Sequence, residues 1–264
     1  RLGGTLGFGI AASLALVLVE NYGLGLAFWG CAAMWLLAAI VSQKFVHSKM
    51  KAGESTRRGF RSLLTSRRWR LFMLVAFAGG LAEVASNTYL FPYLKELGAA
   101  ESTMGLALTI GTLSEIPVLF YGNRLLRRFG PYGLLMLAMV MTGVRFLLFA
   151  VSGAPGFVVA LLLLGGLTFP AMWLAGVAYA DENAPPGMGA TAQGMFSAMV
   201  WGFGAAAGGL IGGPLLESLG GRGLYLVFGL AVLVTVGFAA VAQGRKPAAS
   251  ITTTSAAARP DPET

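Results

Sequence analysis

Charge is scarce in this sequence. Only 11% of its 264 residues are Asp, Glu, Lys or Arg, while 56% are hydrophobic. An ordinary soluble domain carries roughly 25% charged residues, and a chain this poor in charge cannot wet its own surface. A soluble globular protein is therefore excluded, and the composition is that of an integral membrane protein. Cysteine is nearly absent: Cys31 stands alone in an apolar run and cannot form an internal disulfide. Histidine is also reduced to one residue, His47, in a basic stretch. With no serine–histidine pair, no paired cysteines and no glycine-rich phosphate loop, there is no constellation for an enzyme, a metal or a cofactor. The chain opens on Arg1 and its first methionine is Met34, so it reads as part of a longer protein, with no signal peptide to judge.

What the sequence does have is long apolar runs. Eight can be marked, at 2–19, 24–45, 71–93, 104–121, 132–151, 157–180, 192–216 and 224–242. Each is close to the ~20 residues needed to cross a ~30 Å hydrocarbon core at ~1.5 Å per residue. None alternates with period two, so they predict an all-α bundle of eight transmembrane helices.

The connections between the runs differ sharply in charge. If the helices alternate, all but three of the 19 Lys and Arg fall on one side. Lys95 and Arg222 lie on the other, and Arg145 lies inside a run. Basic connections stay cytoplasmic. The net charge of +8 is thus a topology signal and not a nucleic-acid footprint. Both ends of the chain are expected in the cytoplasm, with the protein in the inner (cell) membrane. In the basic stretch "STRRGFRSLLTSRRW", Phe60, Leu63 and Leu64 share a helical face. That face fits either a short helix in the lipid headgroup layer or a plain basic linker. The stretch from Gln243 onward is polar and rich in Pro, Ala and Thr, which predicts a disordered tail.

Glycine recurs every fourth residue at Gly204, Gly208 and Gly212, again at Gly209 and Gly213, and at Gly3 and Gly7. Such faces let helix backbones approach closely and mark packing.

Three ionisable residues sit deep in apolar runs: Glu83, Glu115 and Arg145. Each costs at least ~2.5 kcal/mol at the bilayer centre. They belong either to a structural ion pair or to a proton or substrate relay. By helical rise, Arg145 lies ~20 Å and Glu83 ~18 Å from the cytoplasmic end, against ~9 Å for Glu115. Glu83 is therefore the preferred partner for Arg145, with Glu115 the weaker candidate. Asn87 lies one turn from Glu83 on a face shared with Gly80, which suits a polar cavity wall. In the run 157–180, Pro170 should kink the helix. Thr168 and Trp173 flank that break as candidate substrate contacts, although a packed core role fits Trp173 equally.

The stretch "EIPVLFYGNRLLRRFGPYGLLMLAMVMTGVRF" carries Glu115, Asn123–Arg124, Arg127–Arg128, Gly130 and Arg145. It resembles helices eight and nine of major facilitator superfamily permeases, above all the phenylpropionate permease-like group, with lactose permease a more distant relative. "APPGMGATAQGMFSAMVWGFGAAAGGLIGG" is similar to that group's helix eleven, and "RLGGTLGFGI" to the start of its helix five. The resemblance implies a major facilitator-type bundle lacking its first four helices. Residues 1–45 would be helices five and six, 46–70 a basic cytoplasmic linker, 71–243 the complete C-terminal six-helix half, and 244–264 the tail. Asn123, Arg124, Arg127, Arg128 and Gly130 would form the cytoplasmic turn motif. The pattern departs at Arg127, where the superfamily has an acidic residue, and at Gly165, where the group has a histidine.

The implied function is secondary active transport by alternating access: proton-coupled uptake of a small organic solute. Its partners would be that solute, protons, membrane lipid and the missing N-terminal helices. The alternatives are an uncoupled facilitator or exporter of the same fold, or a membrane remnant with a structural role. Because helix two is the usual partner of helix eleven, the Gly204–Gly208–Gly212 face is expected to lack its partner in this chain.

Overall fold

The computed structural model describes residues 24–43 and 54–244 of the chain. The run at 2–19, with Gly3 and Gly7, lies outside the described residues, as do His47 and the tail beyond Gly244. The chain divides into two compact units, 1–56 and 57–264. In the first, helix α1 (Leu24–Ser42) is apolar all round, with Phe28, Trp29 and Trp35 exposed. A helix without a polar face must be surrounded by lipid or by other helices.

The second unit is wholly helical among its described residues. It begins within α2 (Glu54–Thr65), continues through α3 (Arg67–Thr88), α4 (Leu90–Glu96) and α5 (Glu101–Val151), and then reaches α6 (Pro155–Leu161). A 3₁₀ segment, Leu162–Leu167, leads into α7 (Phe169–Glu182). After α8 (Gly189–Ser197) a π-helical segment, Ala198–Gly204, runs into α9 (Ala205–Gly244). At ~1.5 Å per residue a straight 51-residue α5 would be more than twice as long as a bilayer core is thick. The chain instead reverses at Gly130, whose φ of 67° no residue with a Cβ adopts cheaply, and Pro131 starts the returning arm. Gly220, at φ 66°, does the same in α9. Both reversals fall between predicted runs.

Four helical stretches, Arg67–Thr88, Glu101–Val151, Pro155–Glu182 and Gly189–Gln243, are long and apolar enough to cross a membrane. α3 packs on α9 and on the π segment, and α5 packs on α7 and the 3₁₀ segment. The core between them is aromatic: Phe72, Tyr93, Phe146, Phe149, Phe196, Tyr225 and Phe228 are all essentially inaccessible.

The turns gather at two ends. At one, the carboxylate of Glu96 accepts a hydrogen bond from the Gly221 amide at 2.7 Å, tying the Gly98 turn to the Gly220 turn. At the other, Gly59 of α2 backs onto Met188 and Pro185, and Tyr132, just past Gly130, meets Tyr179 at a ring distance of 5.8 Å. The basic residues of α2, the start of α3 and the Gly130 turn therefore share one end, as the charge asymmetry requires. α2 is a helix, but Leu63 is buried in the core instead of facing lipid, while Leu64 is 46% exposed. The contact with the 183–188 turn supplies an apolar surface that the local sequence does not announce.

Topology can be tested by labelling single cysteines in a Cys31→Ala background in intact cells. Ala100→Cys and Ser218→Cys, both exposed at the Glu96 end, should react with an impermeant reagent from outside, and Ser62→Cys should not. The reverse pattern would overturn the orientation. Gly221 is unsuitable for a label, because a side chain there would run into Tyr93.

The glycine face corrects one expectation. A Cβ on Gly204 would lie 2.5 Å from the Phe77 carbonyl, and one on Gly208 would lie 3.0 Å from that of Leu81; Gly212 backs onto the Tyr89 ring. Gly80 of α3 answers it: its Cα lies 2.9 Å from the Cβ position of Gly204, and a Cβ on Gly80 would run into the Val200 carbonyl. The face is filled by α3 of the same unit and is not waiting for an absent helix.

Candidate functional site: a polar cavity around Arg145

Arg145 lies on the second arm of α5, only 5% exposed. Its Nη2 donates to Ser86 Oγ at 2.9 Å, and its Nε has no hydrogen-bond partner. The guanidinium carbon stands 5.8 Å from the ring centre of Phe146 and 5.6 Å from that of Phe149. Two buried tyrosines brace the surroundings: Tyr225 donates to the Ala85 carbonyl at 3.0 Å, and Tyr93 donates to the Phe149 carbonyl. Arg145 is thus a cation held on an aromatic floor with part of its donor capacity unused. A buried donor in that state is costly unless a ligand or water completes it.

The guanidinium opens onto a cavity whose empty space, about 640 Å³, is partly open to the surroundings. Glu83, Ser86 and Asn87 of α3, Thr112 and Glu115 of the first arm of α5, and Gly165 and Thr168 at the 3₁₀ segment supply its polar rim. A narrow recess beside it, with room for about one water, shares Glu83, Ser86, Arg145 and Thr168. Glu83 accepts a hydrogen bond from the Asn87 amide one turn away. Both carboxylates are within electrostatic reach of Arg145, but its direct hydrogen bond goes to Ser86.

The structure therefore brings Glu83, Glu115, Arg145, Asn87 and Thr168 around one space. Trp173 does not line it. That side chain packs with Phe169, Phe196 and Trp201 at ring distances of 5.9, 5.2 and 6.0 Å. Asn123, Arg124, Arg127 and Arg128 are exposed near the Gly130 turn, Arg124 lying over the Tyr121 ring at 5.3 Å.

The break opposite Arg145 also differs from expectation. The helix loosens into a 3₁₀ turn from Leu162, Thr168 leaves helical geometry, and Pro170 sits in the first turn of α7, where proline is tolerated. Thr168 Oγ1 turns back to the Gly165 carbonyl at 2.6 Å. The sequence reading missed Ser86 and Phe169 as members of the cavity wall. Ser86 was within reach, since it stands three residues after Glu83 on the same helical face; Phe169 became visible only with the unwinding.

Gly165 closes the cavity against Arg145. A Cβ there would lie 2.8 Å from Ser114 Oγ and 3.5 Å from Arg145 Nη1. Gly165→Ala is expected to fill this corner and raise the apparent KM of the intact carrier by roughly three- to tenfold, with little change in thermal stability. An unchanged KM would show that solute does not approach this corner.

A polytopic helical membrane protein that gathers a cation and two carboxylates around an interior cavity has the construction of a membrane carrier. The comparisons with known proteins specify the family. Residues 1–227 match the MFS_1 like family, and the chain belongs to it. It is 31% identical over 237 residues to the maltose permease of Geobacillus stearothermophilus, covering 89% of this chain and 60% of the permease. It is 29% identical over 233 residues to the uncharacterized transporter YwbF of Bacillus subtilis (strain 168), covering 87% of this chain and 58% of that protein. The solved structure of the nucleoside transporter NupG superposes with a TM-score of 0.67 at 22% identity, over 93% of this chain and 67% of that one. At that identity the likeness shows a shared fold. The chain spans about three fifths of the length of these curated relatives.

Proposed function

We propose that this chain is the larger part of a secondary transporter that moves a small polar organic solute by alternating access, coupled to protons. The observation that carries the reading is Arg145: a buried guanidinium, bonded to Ser86 and with its Nε unpartnered, on the wall of a cavity that Glu83 and Glu115 also line. Such a charge is retained in a membrane interior at a cost of several kcal/mol. A solute that completes its hydrogen bonds offsets part of that cost.

In this mechanism the solute's hydroxyl or carbonyl oxygens accept from Arg145, while Asn87 and Thr168 fix its orientation. Glu83 is the proton carrier. Arg145 nearby favours its ionised form; when solute or a conformational change draws the guanidinium away, it takes a proton more readily. Glu115 is the secondary acid on the opposite wall. The unit 57–264 serves as the C-terminal half, which rocks against an N-terminal half completed by four further helices. Maltose and nucleosides, named for the relatives, are the first solutes to try. Both are neutral and polar.

Reconstitution in vesicles tests the reading. The carrier with its N-terminal helices should accumulate solute when an inward proton gradient is imposed. The 264-residue chain alone should not, because alternating access needs two halves that move against each other. Accumulation by the 264-residue chain with no second polypeptide would refute the two-half mechanism. Solute entry that never exceeds equilibrium, gradient or not, would favour a facilitator.

A further inference from the structure

At the basic end of the molecule, arginines fall into two exposed groups. Arg67, Arg68 and Arg70 stand at the start of α3, and Arg124, Arg127 and Arg128 on the last turns of α5 before Gly130. Neither group has a carboxylate near it in sequence: no Asp or Glu occurs from 55 to 82 or from 116 to 180. Among the described residues, none of the six side chains makes a hydrogen bond or an ion pair. Arg124 and Arg128 rest instead over the rings of Tyr121 and Phe129, at 5.3 and 5.6 Å. The first turn of α3 holds no acid, so the positive end of the helix dipole adds to three guanidinium charges. Two buried donors beside the groups are also unpartnered: Nε1 of Trp69 in that first turn, and the hydroxyl of Tyr132 just past Gly130. Tyr179 joins the groups, lying within electrostatic reach of Arg68 and meeting the Tyr132 ring. Exposed apolar side chains border both: Leu64 before α3, and Phe120, Tyr121 and Phe129 beside the arginines of α5. Arg67 opens one membrane-length helix and the Gly130 turn interrupts another, so both groups stand where spans leave the hydrocarbon.

We propose that these two groups form one docking surface for anionic phospholipid, with phosphates against the guanidinium groups and acyl chains against the bordering apolar residues. A guanidinium matches a phosphate in geometry as well as in charge. A soluble anion would neutralise the arginines but leave Phe120, Tyr121 and Phe129 uncovered. A zwitterionic lipid would cover the rings but bring a cation of its own. Arg127 adds a positive charge where the superfamily carries an acid, so this turn has no carboxylate of its own to hold its arginines. Neither the solute nor proton coupling enters, so lipid binding is measurable without transport.

The test uses the carrier with its N-terminal helices, purified in detergent, with retained lipid followed by native mass spectrometry. The probes are dioleoyl phosphatidylglycerol and dioleoyl phosphatidylcholine, with inorganic phosphate as a competitor. Phosphatidylglycerol should bind about tenfold more tightly or better, the scale of a few arginines facing an anionic headgroup. The triple variants R67Q/R68Q/R70Q and R124Q/R127Q/R128Q should each reduce that preference by about threefold or more. The triples R67K/R68K/R70K and R124K/R127K/R128K keep the charge and should keep the preference. Lys95→Gln, exposed at the opposite end, should match the wild type. The thermal midpoint of each variant, read on the same samples, separates lost binding from lost folding. Equal binding of the two lipids by the wild type overturns the surface. So does an undiminished preference in either folded glutamine triple, or an equal loss in Lys95→Gln. A loss in the lysine triples as large as in the glutamine triples overturns recognition by charge. Displacement of phosphatidylglycerol by inorganic phosphate assigns the arginines to a soluble anion and overturns the lipid.

Discussion

Arg145→Gln in the intact carrier should reduce proton-driven accumulation by about tenfold or more, equivalent to ~1.4 kcal/mol or above of lost coupling, while solute exchange, which needs no net proton movement, survives better. The cause lies in the cavity: glutamine is a shorter, neutral side chain and removes the only cation that the described residues place beside Glu83 and Glu115. An acid left in a membrane interior without a nearby cation favours its neutral form. Glu83 would then hold its proton through the cycle and no longer release it on the inner side. Glu83→Gln should produce the same phenotype by deleting the proton carrier itself. Glu115→Gln should have the smaller effect, because Glu115 is absent from the recess that Glu83 shares with Arg145. Accumulation at wild-type levels in both Arg145→Gln and Glu83→Gln carriers would leave this cluster a structural role at most.

The largest expected effect on stability is at the glycine interlock between α3 and the π segment. Gly80→Val would push a branched side chain into the Val200 backbone, and Gly204→Val would push one into the Phe77 carbonyl and the Gly80 Cα. Overpacking typically costs ~1–3 kcal/mol. Here the obstacle is backbone, which cannot rotate away, so the upper end applies. A loss of ~3 kcal/mol should lower the thermal midpoint in detergent by about 10 °C for a domain of this size. Gly209→Val is the internal control: it lies on α9 with open space around its Cβ position, and its midpoint should hardly move. Equal destabilisation at Gly209 and Gly204 would show that glycine matters there for helix propensity and not for the close approach.

Much of the architecture was legible in one dimension. Low charge and long apolar runs required a membrane bundle, because neither water nor an ordinary core could accommodate them. Gly130 before Pro131, and Gly220 between two apolar runs, marked the reversals, since a backbone at positive φ selects glycine locally. The gathering of arginine at one end was legible too, because topology follows from counting charges between spans. Glu83, Glu115 and Arg145 stood out because each is expensive wherever the chain places it in a membrane.

What the sequence could not supply was which groups meet. The repeat Gly204–Gly208–Gly212 announces that a backbone comes close, but it carries no mark of whose backbone; the fold brings α3 there. Pro170 announces a disturbed helix, but the disturbance starts at Leu162, because the 3₁₀ segment pressed against α5 decides where regular hydrogen bonding ends. Depth along separate helices placed Glu83 and Arg145 at similar heights. Only the rotation of α3 about its axis decided that Ser86, one turn further on, receives the guanidinium's hydrogen bond. Composition and local backbone preference act residue by residue and can be read from the chain. Helix rotation, register and the partner of each buried donor are settled by packing between segments far apart in sequence, and those belong to the tertiary structure alone.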